Sequence, residues 1–184
     1  MNLTITQKRF SFLTDKYDIK EDEFLIYRAE SILFSFQKKI KITDLFNIEK
    51  FRITKTITLF HPTYEIEYKN GSNLTIEGKS LLYDYFVLKI PEGIYEIHHQ
   101  KGLKLAIFNK EEQIAEIRKN RIKVFKGDEY YISANSDVRK DLLIAICLVW
   151  DINDFKNSDN AVTIDLENIG PVKRNADQNW TPIR

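Results

Sequence analysis

Cysteine is nearly absent from this chain. Its single residue, Cys147, excludes an intrachain disulfide. Long apolar runs are absent too. The most apolar stretch, Leu142–Trp150, is about half the length a helix needs to cross a bilayer. The opening MNLTITQKRFSFL lacks the apolar core of a secretory signal. Neither sign of charge dominates: 28 Lys and Arg stand against 27 Asp and Glu, a net +1. Nucleic-acid binding is therefore not expected, and contact with a membrane would have to come from a local patch. With three histidines and one cysteine, no Cys/His set for zinc is in sight, and no cofactor is expected. These absences read as a cytoplasmic protein without a transmembrane segment, able at most to lie on a membrane peripherally. The abundance of Ile, Lys and Asn points to an AT-rich, bacterial genome.

What is present is the material of one domain. The 184 residues are 43% hydrophobic and 30% charged, enough for a real core. Before residue 135 the dominant period is two, the mark of half-buried strands. In FRITKTITL (51–59) the odd positions are apolar except Lys55, and the even ones are Arg and Thr. Tyr64, Ile66 and Tyr68 share a face opposite Glu65, Glu67 and Lys69. A three-residue loop, Asn70-Gly71-Ser72, would then set Tyr68 opposite Leu74 and Ile66 opposite Ile76. The N-terminus alternates as a strand does. Further strands are expected at 23–28, 31–37, 39–43, 82–90, 94–100, 103–108, 113–118, 121–126 and 129–134. ITKTITLFHPTYEI (53–66) resembles IRKNRIKVFKGDEYYI (117–132), as if the sheet had two related halves.

Only the region after 135 reads as a helix, with Asn135, Ser136 and Asp137 as caps and an end near Asp151. Its centre is apolar on every side, so it must be buried on every side. In a chain otherwise made of strands, the enclosure has to be sheet. A closed antiparallel barrel of about twelve strands around a central hydrophobic helix hides the helix and removes exposed sheet edges. This mainly β barrel would occupy residues 1–152. Residues 153–184 are polar and Asn-rich, and form a C-terminal tail. Within it Val162 to Leu166 could form a short strand, and Trp180 could anchor the tail to the barrel.

A resemblance rests on three segments in order. Ala115, Ile117 and Lys119 lie in one strand; Gly127, Asp128, Tyr130 and Ile132 lie in the next; the helix DLLIAICLVWD ends in Asp151. This set resembles the tubby C-terminal-like superfamily, above all its LURP-one-related group and more distantly the phospholipid scramblase-like proteins. The match runs over roughly residues 20 to 152. The resemblance implies a twelve-stranded barrel around a C-terminal helix, in a binding module and not an enzyme. Members of that superfamily bind phosphoinositides or act at membranes.

No catalytic constellation survives inspection. Gly78-Lys79-Ser80 lacks the glycine that a phosphate-binding loop needs at position 73, which is Asn. His98 and His99 are strand neighbours and point to opposite faces, His99 toward the core and His98 toward solvent. Glu21-Asp22-Glu23 and Glu111-Glu112 read as turns. Cys147, inside the apolar helix, reads as a packing group. There is no nucleophile elbow.

The densest charge is RKNRIKVFK, with Arg118, Lys119, Arg121, Lys123 and Lys126 uninterrupted by an acid. Arg121 and Lys123 share a face; Arg118 and Lys119 do not. The plain reading is a solvated strand face; the functional one is an outer site for an anionic lipid headgroup. Two functions stay open: a module that engages anionic lipid through this patch, or an immunity or regulatory protein that binds one bacterial partner.

Overall fold

The computed structural model describes residues 1–9, 14–32, 39–56, 61–79, 85–120, 127–158 and 172–183, with the side chains of residues 9 and 154–158 left aside. Twelve strands close into one antiparallel barrel: β1 (Asn2–Arg9), β2 (Asp15–Glu21), β3 (Phe24–Ile32), β4 (Lys39–Thr43), β5 (Glu49–Thr56), β6 (Thr63–Tyr68), β7 (Asn73–Gly78), β8 (Tyr85–Ile90), β9 (Gly93–Gln100), β10 (Lys104–Asn109), β11 (Glu112–Asn120) and β12 (Glu129–Ala134). Each strand pairs with its sequence neighbours, and β1 closes the ring on β12, with Leu3 opposite Ile132 and Ile5 opposite Tyr130. Successive strands run in opposite directions, so the connections alternate between the two ends of the barrel.

The helix α1 (Lys140–Ser158) fills the interior. Leu142 through Trp150 and Ile152 are all buried, against inward residues such as Ile5, Ile19, Ile53, Ile66, Ile107 and Ile132. Alternation does the sorting. Strand β5 buries Phe51 and Ile53 while Lys50 and Arg52 point out, and β2 buries Tyr17 and Ile19 between charged neighbours.

Several local expectations are corrected. The helix starts later and runs further than its caps suggested. Asn135, Ser136 and Asp137 lie in a turn, with the Val138 N–H donating to the Asn135 carbonyl. Asn135 spends its side chain on the tail. Expected strands 23–28 and 31–37 are one strand through Ile32, with residues 33–37 outside the described part. Strand β2 went unanticipated. It joins β3 through Asp22 and Glu23, both at positive φ (43° and 72°). Such a two-residue turn usually carries Asn and Gly, so its sequence sign is missing. The expected strand at 121–126 and the short strand Val162 to Leu166 lie outside the described residues.

The β6–β7 loop has three residues, one position earlier than expected: Lys69-Asn70-Gly71. Ile66 therefore faces Leu74, and Tyr64 faces Ile76. The shift moves each partner by two residues, so the apolar face is preserved. It places Gly71, with φ +84°, at the left-handed position that closes such a loop.

Gly127 stands where β1 meets the approach to β12. A Cβ there would lie 2.4 Å from the Gln7 carbonyl oxygen. The Gln7 N–H donates to the Asp128 carbonyl at 2.8 Å across this contact. Only glycine lets the two backbones come so close.

The enclosed helix generates a direct test. Ala145 has 0% exposure, and a charge placed there would cost several kcal/mol with no partner to compensate it. Ala145→Asp should yield no cooperatively unfolding species in urea, followed by circular dichroism. A cooperative transition near the wild-type midpoint would mean that the helix is not enclosed in solution.

Candidate functional site

The three segments that carry the family resemblance meet inside the barrel, at the end where the helix leaves. Lys119 of β11 points inward, and its Nζ pairs with Asp128 at 2.9 Å. The same Nζ lies over the Tyr130 ring, 5.4 Å from its centroid, and 6.0 Å from that of Trp150. Asp151, buried in α1, accepts hydrogen bonds from the hydroxyls of Tyr17, at 2.5 Å, and Tyr130. Burial, and then the charge of Asp151, push both tyrosine hydroxyls well above their usual range. Both therefore stay protonated and donate.

The sequence echo has a structural counterpart on the opposite side of the ring. Ile53 pairs with Ile66 as Ile117 pairs with Ile132, and Lys55 faces Tyr64 as Lys119 faces Tyr130. The Lys55 ammonium sits over the Tyr64 ring at 5.3 Å. The Tyr64 hydroxyl reaches Asn153 of the helix at 3.2 Å. Two Lys–Tyr pairs thus grip the helix near its exit, at Asp151 and Asn153. At the entry, Tyr68 donates to Asp141 at 2.5 Å, and Arg139 pairs with the same carboxylate at 2.6 Å. These groups are latches. Cys147 lies beside them, but complete burial, followed by the charge of Asp151, pushes its thiol well up. It offers no thiolate for chemistry.

The basic cluster separates accordingly. Arg118 points out, exposed, and pairs with Glu116. It stands opposite Lys104 in register. Lys119 leaves the surface: its side chain is only 3% exposed. Its ion pair with Asp128 and its contact with two rings explain how a lysine can lie at an inward position. Arg121, Lys123 and Lys126 lie outside the described residues.

The alternating connections distribute charge unevenly. At the helix-entry end, turns carry Asp22, Glu23, Asp44, Glu92, Glu111 and Asp137, against Lys69, Lys110 and Arg139. Among the described residues, the connections at the helix-exit end carry Lys79 and Lys101 against Asp128. Asp128 is already paired with Lys119.

One surface feature escaped the sequence reading, and a second, the docked tail, was legible only in Trp180, whose indole donates to the Gln113 carbonyl at 2.7 Å. Phe24 and Phe46, 76% and 85% exposed, stand with Leu45 and Ile48 on adjacent hairpins at the entry end. The tail segment 172–183 lies on the outer wall of β8–β11. There His98, expected in solvent, is 1% exposed. It stacks on Tyr85 at 5.3 Å, meets Phe108 edge-on and faces Glu96 at 3.0 Å. His99 points inward, against Trp150. Alternation along β9 could place both histidines, but not what a segment some 75 residues later would cover.

A family model described as LURP-one-related matches residues 1–151. No curated protein and no solved structure matches the chain.

The inward lysine makes a prediction. Lys119→Met leaves the Asp128 carboxylate without its partner and should cost about 3–5 kcal/mol in urea unfolding. Adding Asp128→Asn should recover more than half of that loss. A change below about 0.5 kcal/mol for the single variant would return Lys119 to the surface.

Proposed function

We propose, from the premise that the chain belongs to the LURP-one-related family, that it is a non-enzymatic binding module that meets an anionic membrane surface with the helix-exit end of its barrel. The observation that carries this reading is the gathering of acidic turns at the helix-entry end, while the segment that joins β11 to β12 is basic in sequence. A net charge of +1 hides this separation. Local basic groups attract anionic lipid whatever the total charge, to within about a Debye length.

Arg118, Arg121, Lys123 and Lys126 are the residues assigned to this contact; Lys119 is spent inside. No helix among the described residues is long and apolar enough to cross a membrane; the contact proposed is a peripheral one. Each basic residue near an anionic bilayer contributes about 1 kcal/mol. A few acting together give reversible binding. Among the described residues the helix and its latches fill the interior, which supports a role carried by the surface.

A second reading, binding of one protein partner, is favoured by Phe24, Leu45, Phe46 and Ile48, which expose apolar surface on neighbouring hairpins at the other end.

Sedimentation with phosphatidylserine vesicles tests the first reading. Wild type should pellet at low salt and be released as salt rises. Arg121→Glu with Lys123→Glu should weaken binding by at least about 2 kcal/mol, roughly thirtyfold, without moving the urea midpoint. Wild type that stays in the supernatant at low salt, or a double variant that binds equally, refutes the lipid reading. In that event, a stoichiometric partner released by Phe46→Ser would establish the second.

A further inference from the structure

Part of the outer wall of β8–β11 is buried although it faces away from the core, at His98, Gln100, Ala106, Phe108 and Gln113. Leu105 and Ile107 of β10 point inward, yet Ala106 and Phe108, on the outer face, are buried as well. The tail lies over Phe108 by way of Arg174, and the manner of covering is that of a receptor holding a peptide. Gln100 uses both ends of its amide: Nε2 donates to the Arg174 carbonyl at 2.8 Å, and Oε1 accepts from the Ala176 N–H at 3.0 Å. The Gln113 Oε1 accepts from the Asp177 N–H at 3.0 Å, and the Gln113 carbonyl accepts from the Trp180 indole at 2.7 Å. The two glutamines read the backbone of the segment much as a neighbouring strand would.

Side chains are read separately. The Lys173 ammonium lies 3.7 Å from the Tyr85 ring centroid, and the Arg174 guanidinium 3.9 Å from that of Phe108. Arg174 also donates to the Lys110 carbonyl at 2.6 Å and pairs with Glu111 at 3.3 Å. At the far end, the Ile183 N–H donates to the Asn135 Oδ1, and the Ser136 N–H to the Ile183 carbonyl.

We infer that this wall is a peptide-recognition site, and that the chain's own residues 172–183 fill it in cis. Its ligand class is a segment with two consecutive basic residues, a small residue two positions further on, and a tryptophan four beyond that. The tail does not exhaust the site. The Gln113 Nε2 is buried with no partner among the described residues, and so is the His98 Nδ1. Because His98 presents Nε2 to a carboxylate, that nitrogen carries the proton and Nδ1 is a bare acceptor. A spare donor and a spare acceptor thus remain beneath the segment. Beside them runs a cleft of about 410 Å³, lined by residues that include Phe108, Gln113, Arg174 and Trp180. A segment of the same pattern in another chain can fill these where the tail does not. Tethering sustains the tail's occupancy, at an effective concentration on the order of millimolar. The inference is independent of lipid binding at the barrel end.

The test uses full-length protein and a fluorescent peptide with the sequence of residues 172–183. Arg174→Glu with Trp180→Ala disables the resident tail and leaves the wall intact. This variant should bind the peptide saturably, and wild type should bind it about tenfold to hundredfold more weakly, because its own tail competes. A peptide carrying the same two changes should not bind. Equal binding by both proteins, or equal binding of both peptides, overturns the proposal. A second measurement needs no variant. The chain has two tryptophans, and 5-fluorotryptophan labelling gives each a fluorine resonance. Excess unlabelled peptide should move the Trp180 signal and leave that of Trp150 in place. Two unmoved signals at several millimolar peptide would refute the site.

Discussion

A helix with no polar face must be surrounded, and the rest of this structure follows from that. Leu142 through Trp150 leave no side of α1 that water could wet at low cost. A sheet wrapped round such a helix has to close, because an open sheet would leave both an edge and a gap. Twelve antiparallel strands in simple succession close it. Hydrophobic burial does not, however, fix where along the barrel axis the helix sits. Polar contacts at its two ends do that. Tyr68 and Arg139 hold Asp141 at the entry, and Tyr17 and Tyr130 hold Asp151 at the exit. Sliding the helix by one turn would strand a buried carboxylate away from its donors, and that penalty sets the register.

The exit latch explains why the family pattern has its particular residues. Lys119, Asp128, Tyr130 and Asp151 come from separate segments but form one buried network. Gly127 belongs to it too, since its missing side chain lets β1 approach and lets Asp128 turn toward Lys119. The matching pair on the far wall, Lys55 over Tyr64 with Tyr64 reaching Asn153, repeats the device. The partner there is a neutral amide instead of a carboxylate. The repeat persists where it touches the helix, because contact with the helix is what constrains it.

What could be read from the sequence was whatever depends on alternation. Odd and even positions in β6 and β12 sort into core and surface as their side chains suggest, and the helix could only be central. Features set by contacts distant in sequence were hidden. Strand β2 has only Tyr17 and Ile19 inside and turns through Asp22-Glu23 without glycine or asparagine. Lys119 looked like part of a basic patch because a lysine at an inward position is rare, and its partner Asp128 lies beyond a run of other basic residues. Residues Asn135 to Asp137 looked like caps because cap and turn chemistry are the same. Here the tail claims Asn135.

Among the described residues the helix fills the barrel interior, and the surfaces proposed for recognition are all outer ones. The helix-entry end is acidic, with phenylalanines on its hairpins, and the opposite end is the one proposed to meet anionic lipid. The side wall is of a third kind, polar and aromatic, and the tail already occupies part of it. These surfaces answer to different physics. Charge at the helix-exit end acts over about a Debye length and weakens with salt. Recognition on the wall acts by contact, through glutamine amides and aromatic rings, and is far less sensitive to salt. An ionic-strength series therefore separates them. An interaction that disappears by a few hundred millimolar salt is assigned to the helix-exit end, and one that persists to the wall or to the apolar hairpins of Phe24 and Phe46.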